Sequence, residues 1–579
     1  MPSGTPSGPA SRPPVSRLQW LLWIAPLVFL ALFYFYPLGS ILGLSFARQE
    51  GGWAAAFTRA LSSANVWRVL GFTLGQALLS TFLTLLLGLP GAYLLARYQF
   101  RGKSLIQALT GLPFVMPTLV VAAAFNALLG PRGWVNAGLM SLFDLAQPPL
   151  QFTNTLTAIL VAHVFYNTTI VLRMVGDFWS HLDPRLEQAA QTLGANRWQT
   201  LRHVTLPVLQ PAVLAAALLV FIFDFTSFGV VLVLGGPRFA TLEVEIYYQT
   251  VSLFNLPLAA VLSLIQLITT LGMTLLYSRL NARLARPLAL KPRQITQHRL
   301  QGWRARLLAG AFLVFLLAFM TLPLLGLAGR SVYNLNPGRE RTGEVAPGPT
   351  LAYYRALSES RRSALFYAPP ATSIAISLGY AAATVVLAVG LGLPAALALT
   401  TRREGRVSRL LDPIFMLPLG TSAVTLGLGF IVALDQPPLD LRASPLLLPL
   451  AHTLVAFPFV VRSLAPSLAS INPRLRQAAA VLGASPAQVL RKIDLPLVGR
   501  ALLVAATFAF TISLGEFGAT ALVSRPEYPT IPAAIYRLIS QPGALNYGQA
   551  MALSTILMVV SAAGMLFIER MRIADVGEF

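Results

Sequence analysis

Two carboxylates lie within strongly apolar stretches of this chain, Asp224 in FIFDFTSFG and Glu516 in SLGEFGAT. A carboxylate inside a membrane is energetically costly and usually faces a partner or an aqueous path. Position 516 matches Ser227 when the chain is compared with itself at a shift of 289 residues. Asp224 lies about one helical turn from Ser227. These three residues are candidates for a solute pathway, and structural hydrogen bonds to a neighbouring helix are an equal alternative.

Glycines flank Glu516 at positions 515 and 518, and we expect them to leave the carboxylate open to water or solute. Glu516 follows Pro496 by about 20 residues, which in a helix rise roughly 30 Å. Unwinding near the two glycines would shorten that rise. Exposed carboxylates of this kind would favour a cationic solute.

The other residue types exclude most catalytic and metal chemistry. Cysteine is absent, which excludes disulfides, zinc–thiolate sites, iron–sulfur clusters and a thiol nucleophile. His163 and His452 begin apolar stretches, and we expect them to hydrogen-bond between helices rather than bind a metal. RGKS at 101–104 resembles the end of a phosphate-binding loop, but Arg97 stands where that loop has its first glycine. We predict no catalytic residue, metal, cofactor or nucleotide site.

The composition is that of a membrane protein. The mean hydropathy is +0.67, and only 11% of residues are charged, against roughly 25% in soluble domains. A membrane helix needs about 20 apolar residues, which predicts an all-α integral membrane protein with about 12 transmembrane helices. The first run, Trp20 to Phe46, is too long for a signal peptide and should be retained. The predicted spans are 20–46, 67–96, 106–130, 154–176, 210–235, 256–281, 305–329, 371–400, 411–434, 445–468, 499–523 and 548–569.

The net charge of +22 indicates orientation in the membrane rather than nucleic-acid binding. If both termini are cytoplasmic, about two thirds of the Lys and Arg residues fall on the cytoplasmic side, while the acidic residues divide evenly. This is the positive-inside pattern. It predicts a multi-pass protein of the inner (plasma) membrane, in contact with lipid, with cytoplasmic N- and C-termini and no nucleic-acid partner.

The chain is an internal duplication. DPRLEQAAQTLGANRWQTLRHVTLP (183–207) and NPRLRQAAAVLGASPAQVLRKIDLP (472–496) share 14 of 25 residues. An even number of spans per half predicts two parallel six-helix repeats, related by an axis along the membrane normal, with a pathway between them. The predicted units are a disordered tail 1–18, a first repeat 19–282, a cytoplasmic linker 283–303 and a second repeat 304–579.

Each copy of the duplicated segment predicts a short cytoplasmic helix. Asp183 and Asn472 are good N-caps, and each is followed by proline at the first helical position. Gly194 and Gly483 are expected to end these helices in the left-handed conformation that favours glycine. Each helix therefore has defined ends on both sides.

A second short helix follows in each copy, beginning at Asn196 and at Ser485. The Leu-Pro pair that closes each copy is expected to end this second helix and to lead into the next span. A pair of alanines on the first helix lets another protein approach closely. One docking surface used twice predicts a partner that is a two-fold dimer.

The pattern of two alanines, a glycine four residues on and Leu-Pro after twelve more resembles the cytoplasmic EAA loop in permease subunits of ATP-binding-cassette importers. The resemblance implies a loop helix that sits in a cleft of a separate ATPase subunit and transmits nucleotide-driven movement. Both copies have Gln where the motif has Glu. The coupling residues implied by the resemblance are Gln188, Ala189, Ala190, Gly194, Leu206, Pro207, Gln477, Ala478, Ala479, Gly483, Leu495 and Pro496.

Single chains with two such loops resemble the thiamine and iron(III) importer group. The stretch 227–249 is similar to thiamine members, whereas SLGEFGATALV (513–523) also resembles iron(III) and oxyanion relatives. The expected function is ATP-driven import of thiamine or a related cation, with an iron(III) importer permease as the alternative. The implied partners are an ATPase dimer, an extracytoplasmic solute-binding protein and a small-molecule or ion substrate. Segment 330–369, with Arg361 and Arg362, could contact the binding protein or be a plain solvated loop.

A proton-coupled secondary transporter is the alternative from another class, because it can also have twelve spans in two parallel halves. The doubled loop and the scarcity of titratable groups within the spans argue against it. A membrane enzyme is a third alternative, but the sequence has no nucleophile–base pair or metal cluster to support it.

Overall fold

The computed structural model describes residues 17–47, 58, 61–236, 238–284, 297–300, 302–335, 348–359, 369–401, 406–435 and 439–575. Most of the predicted tail 1–18, most of the linker 283–303, and both Arg361 and Arg362 lie outside these residues.

The first half is almost entirely helical, and its long helices are rich in Leu, Ala and Val. Ala64–Arg97 runs for 34 residues through Pro90, because neighbouring membrane helices can satisfy the backbone groups that proline frees. The α-helices are α1 Arg17–Leu30, α2 Tyr36–Ala47, α3 Ala64–Arg97, α4 Lys103–Val115, α5 Thr118–Leu129, α6 Trp134–Phe143, α7 Leu156–Ser180, α8 Arg185–Thr192, α9 Arg197–Thr200, α10 Leu206–Phe225, α11 Gly229–Leu234, α12 Leu242–Tyr247 and α13 Leu256–Leu284.

The second half repeats this order of elements. Its helices are α14 Trp303–Val332, α15 Ala352–Ala356, α16 Thr372–Thr401, α17 Arg406–Met416, α18 Ala423–Ala433, α19 Leu447–Ser470, α20 Pro473–Val481, α21 Pro486–Val489, α22 Leu495–Leu497, α23 Gly499–Gly515, α24 Gly518–Val523, α25 Ile531–Ser540 and α26 Ala544–Asp575. Four π-helical turns lie at Ala31–Phe35, Leu201–Thr205, Tyr248–Ser252 and Leu490–Asp494, and a 3-10 turn lies at Leu417–Gly420.

Extended structure in the described residues is limited to four two-residue strands. Strand β1 (Tyr98–Gln99) pairs in parallel with β2 (His298–Arg299), so the end of the linker lies beside the end of α3. Strand β3 (Tyr333–Asn334) pairs antiparallel with β4 (Gly348–Pro349). The prediction of an all-α protein is therefore confirmed.

The described helices include 10 that are long and apolar enough to cross a membrane, or up to 12 if each of two bent pairs forms one span. This confirms the prediction of about twelve spans, with differences inside them. The span predicted at 106–130 is two helices that separate at Met116-Pro117, because a residue before proline is driven out of the helical region. The span predicted at 411–434 bends by 97° between Gly420 and Ala423.

The first long helix of each half packs against the other half. Helices α1 and α2 pack against α16 and α18, while α14 packs against α4 and α5. The Tyr34 hydroxyl lies 2.7 Å from the Thr421 hydroxyl, and the Trp134 indole donates to the Gly326 carbonyl at 2.9 Å. The two halves are thus interlocked around a shared core.

Candidate functional site

The first coupling loop, residues 183–207, has helix ends close to those predicted. The Asp183 carboxylate accepts a hydrogen bond from the Arg185 backbone N–H at 3.0 Å. Gly194 ends the helix with φ of +91°. Asn196 then begins α9 through reciprocal hydrogen bonds with Gln199 at 2.8 and 2.9 Å.

The second coupling loop, residues 472–496, is built in the same way. Asn472 accepts from the Arg474 backbone N–H at 3.0 Å, and Gly483 has φ of +81°. Ser485 and Gln488 form the reciprocal cap of α21. The glycines predicted from the sequence are confirmed in both copies, and the N-cap with its following proline is confirmed in the second. In the first copy the helix begins one residue later than predicted, at Arg185, so that Pro184 takes the N-cap position.

Both loops present apolar side chains to solvent in the isolated chain. No residue of α8 or α20 is buried, and Leu193 and Leu482, which are related by the repeat, are 89% and 87% exposed. All twelve residues assigned to coupling by resemblance are exposed or half-buried. Exposed apolar residues at matching places on two loops are typical of an interaction surface.

Each loop is anchored to the helix that follows it, with different chemistry in the two halves. In the first half the Glu187 carboxylate pairs with the Arg97 guanidinium and accepts a hydrogen bond from the Thr205 hydroxyl at 2.9 Å. In the second half the Arg476 guanidinium bonds the Asp494 carboxylate at 2.8 Å. Positions 187 and 205 correspond to 476 and 494, so the contact is kept while the residue types change.

The prediction that the Leu-Pro pair ends a helix is wrong in the first half. In the first half Arg197–Phe225 is one continuous helix. A π turn precedes Pro207, with the Leu206 N–H bonded to the Leu201 carbonyl. The π turn accommodates Pro207, because a local π adjustment can satisfy the backbone groups that proline frees in a membrane helix.

The second half differs at the same place. There the helix ends at Leu497 and resumes at Gly499 with a bend of 76°. Gly499 stands where the first half has Gln210, and glycine is a common cause of sharp kinks. The connection from coupling loop to span is therefore straight in one half and bent in the other.

The span helix that follows each coupling loop ends at a short non-helical break. Helix α10 ends at Phe225 and α11 begins at Gly229, whereas α23 ends at Gly515 and α24 begins at Gly518. We call residues 226–228 and 516–517 the helix breaks. Thr226 bonds back to the Ile222 carbonyl at 2.9 Å, and side-chain to backbone bonds of this kind compete with helix continuation.

In the first half, His163 joins α7 to the helix break. Its Nε2 lies 2.8 Å from the Ser227 hydroxyl, and its Nδ1 lies 3.3 Å from the Asp224 carboxylate. Asn167 donates to the same carboxylate at 2.6 Å. Asp224 is fully buried.

In the second half, His452 makes the corresponding contacts with the residue types exchanged. Its Nδ1 lies 2.8 Å from the Ser513 hydroxyl, and its Nε2 lies 3.4 Å from the Glu516 carboxylate. Ser513 corresponds to Asp224, and Glu516 corresponds to Ser227. Both histidines thus hydrogen-bond between helices, as the sequence predicts.

Glu516 is not open to water, contrary to the expectation from its flanking glycines. It is 8% exposed, and its two oxygens accept from the backbone N–H groups of Ala519 and Thr520 at 3.0 and 3.1 Å. The glycines serve packing instead: a Cβ at Gly515 would lie 3.1 Å from Pro117, and one at Gly518 would lie 3.0 Å from Ala423. Helix α23 is also regular up to Gly515, so no unwinding shortens its rise.

Four aromatic rings meet where the helix breaks of the two halves approach each other. Phe228 and Phe517 stack with ring centroids 5.4 Å apart at 26°. Tyr247 lies 5.4 Å from Phe228, and Tyr536 lies 5.5 Å from Phe517. Phe228 corresponds to Phe517 and Tyr247 to Tyr536 under the repeat. We call these four residues the aromatic cluster.

One more buried carboxylate, besides Asp224, Glu516 and Asp494 of the second loop anchor, escaped the sequence analysis. Glu243 is 1% exposed; it accepts from the Ser422 hydroxyl of the second half at 2.6 Å and from the Gln266 amide. Glu243 lies between the predicted spans 210–235 and 256–281, so a search for carboxylates within spans does not find it. The signal available was its place in LEVEIY, an apolar stretch between two spans. No group of three or more metal-ligating side chains occurs among the described residues.

The structure consists of two parallel, interlocked helical repeats. Each repeat has an exposed loop and a helix break that faces the other repeat, which is an arrangement typical of a membrane permease. The chain belongs to the family of binding-protein-dependent transport system inner membrane components, whose model matches residues 88–286 and 388–572. It is the transmembrane subunit of an ATP-binding-cassette importer, works with a separate ATPase subunit and a solute-binding protein, and is not itself an enzyme. Family membership removes the proton-coupled transporter and the membrane enzyme as alternatives.

Relatives match over most of the chain. The thiamine transport system permease protein ThiP of Escherichia coli (strain K12) is 27% identical over 549 residues, covering 92% of each chain. ThiP of Brucella abortus (strain 2308) is 30% identical over 540 residues, again covering 92% of each chain. A crystal structure of a bacterial ABC transporter involved in import of the acidic polysaccharide alginate is 19% identical, with a TM-score of 0.37, and covers 47% of this chain and 98% of that chain.

Proposed function

We propose that this permease imports thiamine or a related organic cation. The observation that carries the proposal is the full-length similarity to proteins named thiamine permeases. Three buried carboxylates, Asp224, Glu243 and Glu516, agree with it, because ionisable side chains within a membrane protein commonly mark a solute or ion path.

Reconstitution of the permease with its ATPase and binding protein tests this substrate directly. We expect ATP-dependent uptake of labelled thiamine into proteoliposomes, and stimulation of ATP hydrolysis by thiamine-loaded binding protein. Uptake and stimulation by iron(III) but not by thiamine would replace the thiamine proposal with the iron(III) alternative.

The two coupling loops are proposed to dock into an ATPase dimer. The proposed contact residues are the twelve assigned by resemblance, together with the exposed Leu193 and Leu482. Similar surfaces on two repeat-related loops fit a partner with two-fold symmetry. The Glu187 and Arg476 anchors connect each loop to the helix behind it, so movement of a loop would be passed to a span.

Asp224, Ser227 and Glu516 are proposed to act in the pathway by position. Asn167 donates to Asp224, His163 bonds Ser227, and the His452 imidazole lies beside the Glu516 carboxylate. These contacts hold the two helix breaks against neighbouring helices. They would therefore influence solute passage by fixing the residues at the breaks, without requiring direct contact with the solute. Lipid is the proposed surrounding of the exposed apolar helix faces.

Both termini are proposed to lie in the cytoplasm, on the side of the coupling loops. Cysteines introduced one at a time test this orientation, because the chain has none of its own. In intact cells an impermeant thiol reagent should reach Ala146→Cys but neither Ala189→Cys nor Ala478→Cys. Labelling of the two loops from opposite sides would contradict the parallel arrangement.

A further inference from the structure

We propose that the aromatic cluster is the gate that closes the solute pathway on the side of the membrane opposite the coupling loops. Phe228 and Phe517 occupy corresponding positions in the two halves and touch each other. Corresponding residues in a parallel repeat can touch only at the pseudo-two-fold axis, which is where a pathway between the halves runs. The inference concerns how the pathway is closed and does not depend on which solute is carried.

The depth of the aromatic cluster in the membrane follows from the length of α10, the helix that leads to it. Helix α10 has 20 residues and is about 30 Å long, close to the thickness of the hydrocarbon core. Phe228 comes just after the end of α10, so the stacked pair lies far from the coupling loop that precedes α10. The cluster thus closes the end of the pathway that is remote from the ATPase.

The two phenylalanines at the centre of the cluster are buried. Phe228 and Phe517 are 6% and 3% exposed, and each is backed by a tyrosine of its own half at nearly the same distance. The two stacked phenylalanine rings place apolar surface at the axis. A small solute could pass only if the stacked pair separated.

The backbone at the cluster allows such a separation. Phe228 and Phe517 lie at the helix breaks, outside the regular helices on either side, and each is followed by glycine. The stacking residues are therefore connected to their span helices by short non-helical segments. A change in helix tilt can alter the distance between the rings without unfolding a helix.

The same helices link the gate to the coupling loops. In the first half, Arg197–Phe225 is continuous from the loop to the residue before the break. In the second half, the path runs from α21 through the bend at Val498 and along α23 to Glu516. Movement of the two loops as the ATPase dimer closes would therefore act on both members of the stacked pair.

Removal of the two rings tests the gate. The complex carrying Phe228→Ala and Phe517→Ala is reconstituted without ATP in vesicles preloaded with labelled thiamine and labelled glucose. We expect efflux of at least one of the two solutes to be at least tenfold faster than from wild-type vesicles. The matched control is Phe315→Ala, a ring on α14 that is 57% exposed, and it should stay as tight as wild type. An assembled double variant that is equally tight would overturn the proposal.

A cross-link supplies a second test that keeps both positions occupied. With Phe228→Cys and Phe517→Cys, a short bifunctional methanethiosulfonate reagent should bridge the two cysteines in the absence of ATP and stop ATP-driven transport, and a reductant should restore it. Full transport in the bridged protein would show that the solute does not pass between these positions. Leakage of glucose in the alanine variant, with no thiamine transport by the wild type, would reject the thiamine proposal and retain the gate.

Discussion

The two halves of this permease make the same contacts with different residues. At the helix breaks, His163 faces a carboxylate at position 224 and a serine at 227, whereas His452 faces a serine at 513 and a carboxylate at 516. The two positions are three residues apart, so both lie on one face of the helix end. A histidine placed between them can pair with a carboxylate at either position.

The coupling loops show the same exchange. Position 187 is Glu and its counterpart 476 is Arg, yet each bonds the residue 18 positions further along the chain, Thr205 or Asp494. Duplication has thus preserved which positions touch, and the chemistry of each contact has changed in compensating pairs. The comparison predicts that residue pairs can be moved from one half to the other.

The largest effect is expected from the glycines that end the docking helices. Valine at Gly194 and Gly483 must adopt positive φ, at a cost of about 1–2 kcal/mol or more at each site. The double variant should lose most of its co-purification with the ATPase while still inserting in the membrane. The single variants should weaken association about equally, because the two φ values are similar.

Gly272→Val is the matched control, since Gly272 has no positive φ and nothing within 4 Å of an added Cβ. A double valine variant that binds the ATPase as tightly as wild type would remove the docking role of the loops. A large difference between the two single variants would show that the loops are not equivalent.

The next largest effect concerns the exchanged carboxylate and serine. Asp224→Ser alone removes the carboxylate that lies beside His163 and accepts from the Asn167 amide, and losing a hydrogen bond to a charged group costs about 1.5–3 kcal/mol. Transport should fall about tenfold while assembly persists. Adding Ser227→Glu copies the second-half arrangement and should recover most of the loss. No recovery, in a variant that assembles normally, would mean that the two arrangements are not interchangeable.

A smaller effect is expected at the loop anchors. Arg476→Glu places a carboxylate against Asp494, whose side chain is 8% exposed, and the repulsion should lower ATP-driven transport a few-fold. Asp494→Thr in the same chain recreates the Glu–Thr pair of the first half and should restore coupling. The measurement is transport per ATP hydrolysed, because a defect confined to the anchor leaves ATP hydrolysis by the ATPase itself intact.

Apolar length, charge asymmetry and the internal repeat are sufficient to predict the helices, the two halves and the coupling loops, because each depends on local sequence. The glycines at 194 and 483 follow from the same local rules. The environment of Glu516 does not, because its burial depends on Pro117 and Ala423, which come from distant parts of the chain. The 289-residue spacing is sufficient to show that Ser227 corresponds to Glu516. The exchanged contacts with the histidines cannot be predicted from that spacing, because they depend on which helices pack together.

The aromatic cluster and the role of Glu243 could not be predicted from the sequence for a related reason. When only the local sequence is considered, Phe228 is expected to face lipid or to pack, since nothing there identifies a partner 289 residues away. Glu243 is held by Ser422, at a bend that belongs to the other half. Contacts between halves depend on how the repeats interlock, and hydropathy carries no information on that.

Replacing each carboxylate by its amide should rank the two halves, and the change at Asp224 is the smallest effect expected. Both oxygens of Glu516 accept from backbone N–H groups, so the NH2 of Glu516→Gln would oppose one of these donors. The Asp224 carboxylate accepts from the Asn167 amide, a bond that the carbonyl oxygen of Asp224→Asn can keep, and the nearby Ser80 hydroxyl can rotate to accept from the new NH2 group. We therefore expect Glu516→Gln to lower solute uptake about threefold to tenfold, with assembly and basal ATP hydrolysis retained, because losing a bond to a buried group costs about 1 kcal/mol. Asp224→Asn should change uptake less than twofold. The reverse order would mean that the charge of Asp224 matters more than its hydrogen bonds, and loss of assembly in Glu516→Gln would assign that carboxylate to folding rather than to the pathway.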